Sequence, residues 1–293
     1  MTDLAGAYAA ARPRLVRMAY AILGTVSEAE DVVSECWFKL VRADRQRPVA
    51  DVEAWAIVVV ARAAMDVLRS ARLRRETYPG PWLPEPAPPP LVDPADRITL
   101  DESVSFALLV VLESLTPPER TAWVLHDVFG MTFTEVAAAV GRTPAAVRQL
   151  AARARRHVSA GTPRLGVDRR QHQRVVEQFL AAAAGGRLAD LVATLDPQAV
   201  LTTDGGGRAG SARRPVHGAE RVARFLLGLL ERARPAETRL PVAVNGLLGM
   251  VVLDPDGTVD TVVSFTVAGD LVRRVDFVRD PAKLRSFRLP ERG

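Results

Sequence analysis

The sequence predicts a multi-domain protein in which two all-α domains precede an α+β domain. Apolar residues recur at helical spacing through roughly the first 160 residues, and a proline-rich stretch interrupts them. Four strand candidates then cover residues 238–246, 247–253, 258–268 and 271–279. Asp256-Gly257 and Gly269-Asp270, which lie between these candidates, are hairpin turn signals. The 293 residues are enough for about two domains.

The composition excludes several classes of protein. The chain is 48% hydrophobic and 25% charged, which is typical of a globular protein, and its net charge of +5 mildly favours a polyanionic partner. The single cysteine, Cys36, excludes a disulfide framework and a cysteine zinc site. We also expect no metal and no cofactor. Because no apolar stretch reaches membrane length and no signal-peptide pattern opens the chain, we expect a cytoplasmic protein without a membrane partner.

The first domain is predicted to contain three helices. Residues 3–23 carry one apolar face and end at a glycine. Ser27 and Glu30 form a capping box for a second helix that runs to about Asp44. The third helix covers residues 51–76. Its basic end contains Arg69, Arg72, Arg74 and Arg75.

A linker joins the two helical domains. Eight prolines lie between Thr77 and Pro94, and because proline cannot sit in a helix interior, this segment is predicted to be extended and semi-rigid. It contains Trp82-Leu83-Pro84-Glu85-Pro86. A large aromatic residue in a linker indicates that the linker docks on another part of the molecule. A further helix is predicted at 99–114.

Residues 132–156 are predicted to form a helix-turn-helix. Thr132 and Glu135 make a capping box for its first helix, Gly141 permits a tight turn, and Thr143 caps the second helix. A second helix with a basic face can enter the major groove, where Arg and Gln read base edges and further arginines reach phosphates. The alternative is a solvated helical hairpin. The basic face carries Arg148, Gln149, Arg153, Arg155 and Arg156.

The last domain mixes helices with strands. Helices are predicted at residues 169–184, 187–195 and 217–231. A strand at 198–203 runs into Asp204-Gly205-Gly206-Gly207-Arg208, whose glycines permit positive φ angles in a loop. Asp204 and His217 are the candidates for acid–base catalysis here, but the sequence offers no second titratable pair to work with them.

Two segments resemble regions 2 and 4 of sigma-70 factors, specifically those of the extracytoplasmic-function (ECF) class. Residues 27–40 resemble the core-binding helix of region 2, and the Arg-bounded helix after Ala54-Trp55 resembles the part of region 2 that melts and binds the −10 element. Leu115-Thr116-Pro117-Pro118-Glu119-Arg120, followed by the helix-turn-helix, resembles region 4, which reads the −35 element. The resemblance implies promoter-specific transcription initiation with promoter DNA and RNA polymerase core, bound at its clamp helices and flap.

The rest of the chain resembles a subgroup of these factors with a fused SnoaL-like, nuclear-transport-factor-2-like domain, in which helices pack in the mouth of a curved sheet. The marks of the subgroup are the Trp82–Pro86 segment, the Asp204–Arg208 segment and Asp280-Pro281-Ala282-Lys283-Leu284, which departs from the Asn-Pro-Asp-Lys-Leu signature at two positions. The resemblance implies control in cis by this domain, with no obligatory anti-sigma factor and a monomer when free. A regulatory small-molecule ligand in this domain is a further hypothesis.

The resemblance implies five segments. They are region 2 at 1–76, a linker at 77–98, region 4 at 99–160, a second linker at 161–168 and the SnoaL-like domain at 169–293.

The resemblance also assigns the candidate site residues to four groups. Those for the −35 element are Thr143, Arg148, Gln149, Arg153 and Arg156. Those for the −10 element are Trp55, Arg62, Arg69 and Arg72. Those for core polymerase are Asp31, Glu35 and Lys39. Those for cis regulation are Trp82, Leu83, Pro84, Glu85, Pro86, Asp204, Gly205, Gly206, Gly207, Arg208, Asp280, Pro281, Lys283 and Leu284.

Several alternatives stay open at this level. Trp55 is equally compatible with a core position, the core-polymerase candidates with a solvated helix face, and Arg156 with an interaction with the helix dipole. The chain could also be a helix-turn-helix regulator that binds DNA alone as a dimer. A third possibility is a SnoaL-like enzyme, acting through Asp204, fused to a DNA-binding module; we expect no enzymatic activity.

Overall fold

The computed structural model describes residues 3–88, 104–161, 167–207, 212–232 and 237–289. The chain divides into two compact units: unit 1 comprises residues 1–77 and 111–160, and unit 2 comprises residues 78–110 and 161–293. The predicted fold class is confirmed, because the described elements of unit 1 are all helical and unit 2 combines helices with a six-stranded sheet. None of the described helices is both long and apolar enough to cross a membrane.

Unit 1 begins with three helices, α1 (Leu4–Leu23), α2 (Val26–Gln46) and α3 (Val52–Glu76). Gly24 ends α1 with a φ of 78°, in the left-handed region that glycine adopts readily. The predicted capping box at Ser27 and Glu30 is wrong, because α2 begins two residues earlier than a helix capped by Ser27 would. Thr25 precedes it, and its hydroxyl donates to Glu28 Oε2 at 2.6 Å, so the same Ser/Thr-x-x-Glu spacing occurs first at this pair.

The second half of unit 1 contains α5 (Pro117–Trp123), a π-helical turn (Val124–Val128), α6 (Phe133–Val140) and α7 (Pro144–Gly161). Capping boxes form at Thr116 with Glu119 and, as predicted, at Thr132 with Glu135. Gly141, with a φ of 68°, makes the turn between α6 and α7. The helix-turn-helix predicted at 132–156 is therefore present. Its second helix buries Val147, Ala151 and Ala154 completely.

Two arginines connect the first and second halves of unit 1. Arg120 is 1% exposed, pairs with Glu113, and donates from Nε to the carbonyl of Ala21 at 3.2 Å. Arg62 on α3 donates to the carbonyls of Ala138 and Ala139 at 2.6 and 3.3 Å. All three carbonyls lie in the last turns of helices, where no later amide of the helix reaches them. Each half thus supplies an arginine that binds a helix C-terminus of the other half.

Helix α4 (Phe106–Leu112) is the described part of the helix predicted at 99–114. Residues 99–103 of that prediction lie outside the described residues.

Unit 2 consists of one sheet and its helices. The helices are α8 (Arg169–Gly185), α9 (Leu188–Ala193), α10 (Ala219–Glu231) and α11 (Pro281–Leu284). The strands are β1 (Leu195–Asp204), β2 (Val216–His217), β3 (Thr238–Val244), β4 (Leu247–Leu253), β5 (Val259–Ala268) and β6 (Leu271–Val278). The strand order is β2-β1-β6-β5-β4-β3, and β1 pairs with β6 in parallel while the other pairs are antiparallel.

The predicted strands and helices of this unit differ from the observed ones at their ends. The strand predicted at 238–246 stops at Val244, because Asn245 and Gly246, with φ angles of 49° and 79°, make the turn to β4. The helix predicted to start at 217 starts at Ala219, because His217 pairs with Val200 across β2 and β1.

The two faces of the sheet carry different apolar clusters, since successive strand residues point to opposite faces. Val263 packs with residues of α8 and α10 such as Phe179 and Val222. Its neighbour Val262 packs with Leu83 of the linker and with other residues that follow or precede the sheet. These others include Phe106, Leu284 and Phe287. One face therefore holds the helices, and the other holds the linker and the C-terminal segment.

Candidate functional site

The carboxylate of Asp204, at the end of β1, is fully buried and accepts four hydrogen bonds. Its Oδ1 accepts the Tyr78 hydroxyl at 2.5 Å and the Gly206 amide at 3.2 Å. Its Oδ2 accepts the Leu83 amide at 2.8 Å and Lys283 Nζ at 2.6 Å. We call these five residues with Trp82 the Asp204 latch. The latch joins three segments that are far apart in the sequence.

Lys283 supplies the positive charge of the latch. Its side chain is 9% exposed and its ammonium also donates to the Leu83 carbonyl at 2.5 Å. The ammonium lies 3.9 Å from the centre of the Trp82 ring and 5.1 Å from that of Tyr78, so two aromatic faces surround the buried cation. Burial and the hydrogen bond to Asp204 raise the pKa of Tyr78, so its hydroxyl stays a donor.

The glycines after Asp204 allow close approach to two neighbouring groups. Gly206 and Gly207 have φ angles of 60° and 84°. A Cβ on Gly206 would lie 2.7 Å from the Asp280 carboxyl carbon, and one on Gly207 would lie 2.9 Å from Pro79 Cγ. Both the backbone angle and the space therefore require glycine here.

The remaining linker residues extend the contact. Leu83, Pro84, Glu85 and Pro86 are buried, and the Ser286 hydroxyl donates to the Glu85 carboxylate. The described part of the linker ends against the β3–β4 turn. There Ala87 donates to Asn245 Oδ1 at 3.0 Å, the Asn245 amide donates to the Ala87 carbonyl at 3.2 Å, and Asn245 Nδ2 donates to the Val104 carbonyl at 3.3 Å.

The predicted regulatory residues are thus largely brought together by the structure. Asp280 accepts the Tyr78 hydroxyl at 2.9 Å and caps α11 through the amide of Ala282. Pro281 is the first residue of α11, and Leu284 is buried. Arg208 lies outside the described residues.

Asp204 and His217 do not form a catalytic pair. Both oxygens of Asp204 are occupied within the latch, and His217 is exposed on β2. Among the described residues, no cluster of three or more His, Cys, Asp or Glu side chains could hold a metal ion.

The exposed face of α7 presents the predicted −35 residues. Arg148 and Gln149 are exposed near its N-terminus, and Arg148 lies over the Phe133 ring at 5.9 Å. The Thr143 hydroxyl accepts the amide of Ala146 and so caps the helix. Arg156 is exposed further along α7.

Two other arginines of α7 are held by acids of unit 1. Arg153 pairs with Glu119 at 3.0 Å, and Arg155 pairs with Asp127 at 2.7 Å. Burial opposes ionisation of Glu119, but hydrogen bonds from Thr116 and Arg153 outweigh it and lower its pKa.

The predicted −10 residues lie along α3. Trp55 is half-buried, and this burial is compatible both with stacking on an unpaired base and with a core position. Arg62 is bound to the C-terminus of α6, and Arg69 pairs with Asp66 at 2.9 Å. The side chain of Arg72 lies outside the described residues.

The outer face of α2 carries the predicted polymerase-binding residues and one apolar side chain that the sequence analysis did not single out. Asp31 is exposed, and Lys39 pairs with Glu35 at 3.0 Å. Between them Phe38 is 72% exposed, next to the half-buried Trp37. The sequence could have indicated Phe38, because it is an aromatic residue that lies outside the apolar stripe of an amphipathic helix.

Other contributing residues were also missed. No local sequence pattern marked Tyr78, because its hydrogen-bond partners, Asp204 and Asp280, lie far from it in the sequence. Asn245 could have been found, since Asn-Gly flanked by apolar runs is a strong hairpin signal, although the strand predicted at 238–246 included it. His172, on α8, is 3% exposed and its Nε2 lies 3.0 Å from the Phe265 carbonyl of β5.

The buried His172 should make the stability of unit 2 depend on pH. Burial lowers its pKa below the usual value of 6.5, so the unfolded chain binds the proton at higher pH than the folded chain does. We expect the free energy of unfolding to fall as the pH drops below about 6.5, by at most about 1.4 kcal/mol per pH unit. Urea unfolding of the full chain followed by circular dichroism at pH 7.5 and 5.5 measures this change.

Replacing His172 by Gln, which can still donate to the Phe265 carbonyl, should remove most of the difference between the two pH values. His217→Gln, at an exposed histidine, is the matched control and should leave it unchanged. The assignment to His172 fails if the two variants behave alike.

Comparison with known proteins places these features in a family context. Residues 7–74 match the family model for Sigma-70 region 2, and residues 105–158 match that for Sigma-70, region 4. The chain is 43% identical over 247 residues to the ECF RNA polymerase sigma factor SigJ of Mycobacterium tuberculosis. The aligned region covers 83% of this chain and 78% of the relative. The chain is also 39% identical over 199 residues to the probable ECF RNA polymerase sigma factor SigI of the same species, covering 66% and 67%.

The similarity to SigJ extends to its three-dimensional structure. The crystal structure of the Mycobacterium tuberculosis extracytoplasmic function sigma factor SigJ matches with a TM-score of 0.78 at 37% identity, covering 96% of this chain and 98% of that chain.

Proposed function

This chain belongs to the ECF RNA polymerase sigma factors, and we propose that its C-terminal unit controls this activity in cis through the Asp204 latch. As a sigma factor it binds core RNA polymerase and directs promoter-specific transcription initiation, and it is not itself an enzyme. The observation that carries the proposal of control is the latch itself. It holds the segment between the two sigma regions inside the C-terminal unit.

We propose that α7 reads the −35 element and α3 contacts the −10 element. Arg148 and Gln149 support the first assignment, because they are exposed near the N-terminus of the second helix, where base contacts are made in helix-turn-helix proteins. Arg62 and Arg69 support the second as phosphate contacts, which position a protein without reading sequence. The boundaries 1–76, 77–98, 99–160, 161–168 and 169–293 are part of this proposal.

The packing of unit 1 supports a closed state that cannot engage both promoter elements. The −35 and −10 elements lie about 25 base pairs apart, or about 85 Å along the duplex. A compact unit of about 130 residues has a radius of gyration of only about 14 Å. In unit 1, α3 packs on α6, and Arg62 donates hydrogen bonds to two carbonyls of α6. The two halves must therefore separate, and Arg62 must leave α6, before both elements are bound.

The latch acts on this separation by holding the linker. Residues 78–110 connect the two halves of unit 1 along the chain, and a free linker of this length lets its ends move apart. Hydrogen bonds to the Leu83 amide and carbonyl fix it at the Asp204 latch instead. We infer that the latch opposes opening, so its release raises transcription.

The proposed partners follow from the same surfaces. Core polymerase, at its clamp helices and flap, is the partner of the exposed face of α2 and of the region 4 half, and promoter DNA that of α7 and α3. The free protein is proposed to be a monomer without an obligatory anti-sigma factor, to act in the cytoplasm where its polymerase is, and to respond to a small-molecule ligand in unit 2.

Transcription with purified core polymerase on a pool of genomic fragments tests the promoter-reading assignment. We expect promoter-dependent transcripts from the wild-type chain, and a loss of at least about tenfold when Arg148 and Gln149 are both replaced by Ala, because each base contact is worth about 1–3 kcal/mol. Binding to core polymerase should not change.

The matched control replaces Arg224, an exposed arginine of α10 in unit 2, by Ala. Equal transcript levels from this variant and the α7 variant would exclude α7 as the reader. Strong binding of a palindromic duplex without polymerase would favour a regulator that acts alone.

A further inference from the structure

A cavity of about 470 Å³ lies in unit 2, between α8, α10 and the strands β3 to β6. Its walls are mostly apolar, and three phenylalanines contribute to them from three different elements. The principal lining residues are Phe179, Leu226, Met250, Phe265, Val275 and Phe277. It lies on the face of the sheet opposite the linker, so it is separate from the Asp204 latch.

The cavity is open to solvent through an apolar rim. Leu229 on α10 lines it and is 37% exposed, and Leu180 on α8 is half-buried beside it. A single exposed leucine is ordinary. Here it continues an apolar wall into the interior, where water would find few hydrogen-bond partners. Water is therefore a poor occupant, and an apolar molecule would be a better one.

Four of the five charged side chains that line the cavity are paired with each other, and the fifth, Arg232 at the end of α10, is exposed to solvent. Arg279 binds Asp260 at 3.1 Å and the Thr261 hydroxyl at 3.2 Å. Arg239 pairs with Glu237 at 3.4 Å. At these pairs an anionic ligand would have to displace a carboxylate from an arginine, and a cationic ligand would have to displace an arginine from a carboxylate. Both exchanges remove an interaction that an uncharged ligand leaves intact. The exposed Arg232 is screened by water and would hold an anion only weakly.

We propose that this cavity binds an uncharged, largely apolar small molecule. Its volume falls within the range of about 300–1,000 Å³ found for sites of drug-sized ligands. The inference rests on the proposed cis control only for the regulatory meaning of the ligand, because binding itself is measured without polymerase.

Titration of the full chain with Nile red, an uncharged dye whose emission rises in apolar surroundings, tests the proposal. We expect saturable binding to the wild type. Ala183→Phe places a ring in the cavity from α8, and Val252→Phe does so from β4. Both should weaken binding at least about tenfold, equivalent to about 1.4 kcal/mol. Ala181→Phe makes the same change at an exposed position of α8 and should bind as the wild type does.

The outcomes separate the claims. Equal binding by the wild type and both filled variants, with circular dichroism showing that each is folded, overturns the cavity as the site. Tighter binding of 1-anilinonaphthalene-8-sulfonate, which carries a negative charge, overturns the uncharged class of ligand. Loss of dye binding in the filled variants together with unchanged transcription would retain the cavity site and reject its regulatory role.

Discussion

Replacing Phe38 by Ala should weaken binding of this sigma factor to core RNA polymerase by about 30-fold or more. The side chain is 72% exposed on α2, beside the Glu35–Lys39 pair. Aromatic anchors that enter a pocket on a partner commonly contribute 2 kcal/mol or more, about 30-fold in the dissociation constant. Exposed ion pairs such as Glu35–Lys39 contribute about 1 kcal/mol or less. We therefore expect the phenyl ring, and not the charges, to dominate.

Competition for core polymerase against labelled wild-type chain measures the effect. The substitution removes almost no buried surface, so the free energy of unfolding should change by less than about 0.5 kcal/mol. Leu229→Ala removes an exposed apolar side chain from unit 2 and serves as the control. If Phe38→Ala and Leu229→Ala compete equally well with the wild type, α2 does not bind polymerase through this ring.

Replacing Lys283 by Met should destabilise unit 2 by about 3–5 kcal/mol, because it leaves the carboxylate of Asp204 buried without its counter-ion. Asp204→Asn should cost a similar amount by leaving the ammonium unpaired. The double variant should cost far less than the two single changes together, since neither member of the pair is then left as an unpaired buried charge. Urea unfolding of the four proteins completes this double-mutant cycle.

The same variants test the role of the latch in transcription. Lys283→Met should raise promoter-dependent transcription several-fold relative to wild type, because the linker loses the hydrogen bond to the Leu83 carbonyl and Asp204 loses its counter-ion. Lys39→Met, at an exposed lysine, is the control that shows how the loss of a lysine alone changes the free energy of unfolding. Equal transcription by the wild type and Lys283→Met would reject control through the latch. Additive costs in the stability cycle would show that the two charges do not interact.

Local patterns predicted the elements of this fold well. The Thr116–Glu119 and Thr132–Glu135 boxes and Gly141 act within a few residues of the chain, so the sequence alone defines the helix-turn-helix. The β4–β5 and β5–β6 hairpins follow for the same reason. The start of α2 was misplaced because two Ser/Thr-x-x-Glu spacings, Thr25–Glu28 and Ser27–Glu30, overlap within six residues, and local sequence does not rank them.

Contacts between distant segments were beyond such patterns. Tyr78 and Asp204 are 126 positions apart, and no periodicity links a tyrosine in a linker to an aspartate at a strand end. The resemblance to a family grouped the three latch segments, but not the four hydrogen bonds to one carboxylate or the ammonium between two rings. Arg62 illustrates the same limit. An arginine at this place on α3 predicts a phosphate contact. The hydrogen bonds that Arg62 donates to the carbonyls of α6 follow only from the packing of the two helices.

The scarcity of lysine turns the latch into a chemical reporter. Lys39 and Lys283 are the only lysines among the 293 residues, and their side chains are 47% and 9% exposed. An amine-reactive reagent should therefore acylate Lys39 and the chain's N-terminal amine quickly, and reach Lys283 only in molecules whose linker has come away. The ratio of label at the two side chains, read by peptide mass spectrometry, then measures the fraction of molecules with an open latch, in the free protein and on polymerase alike.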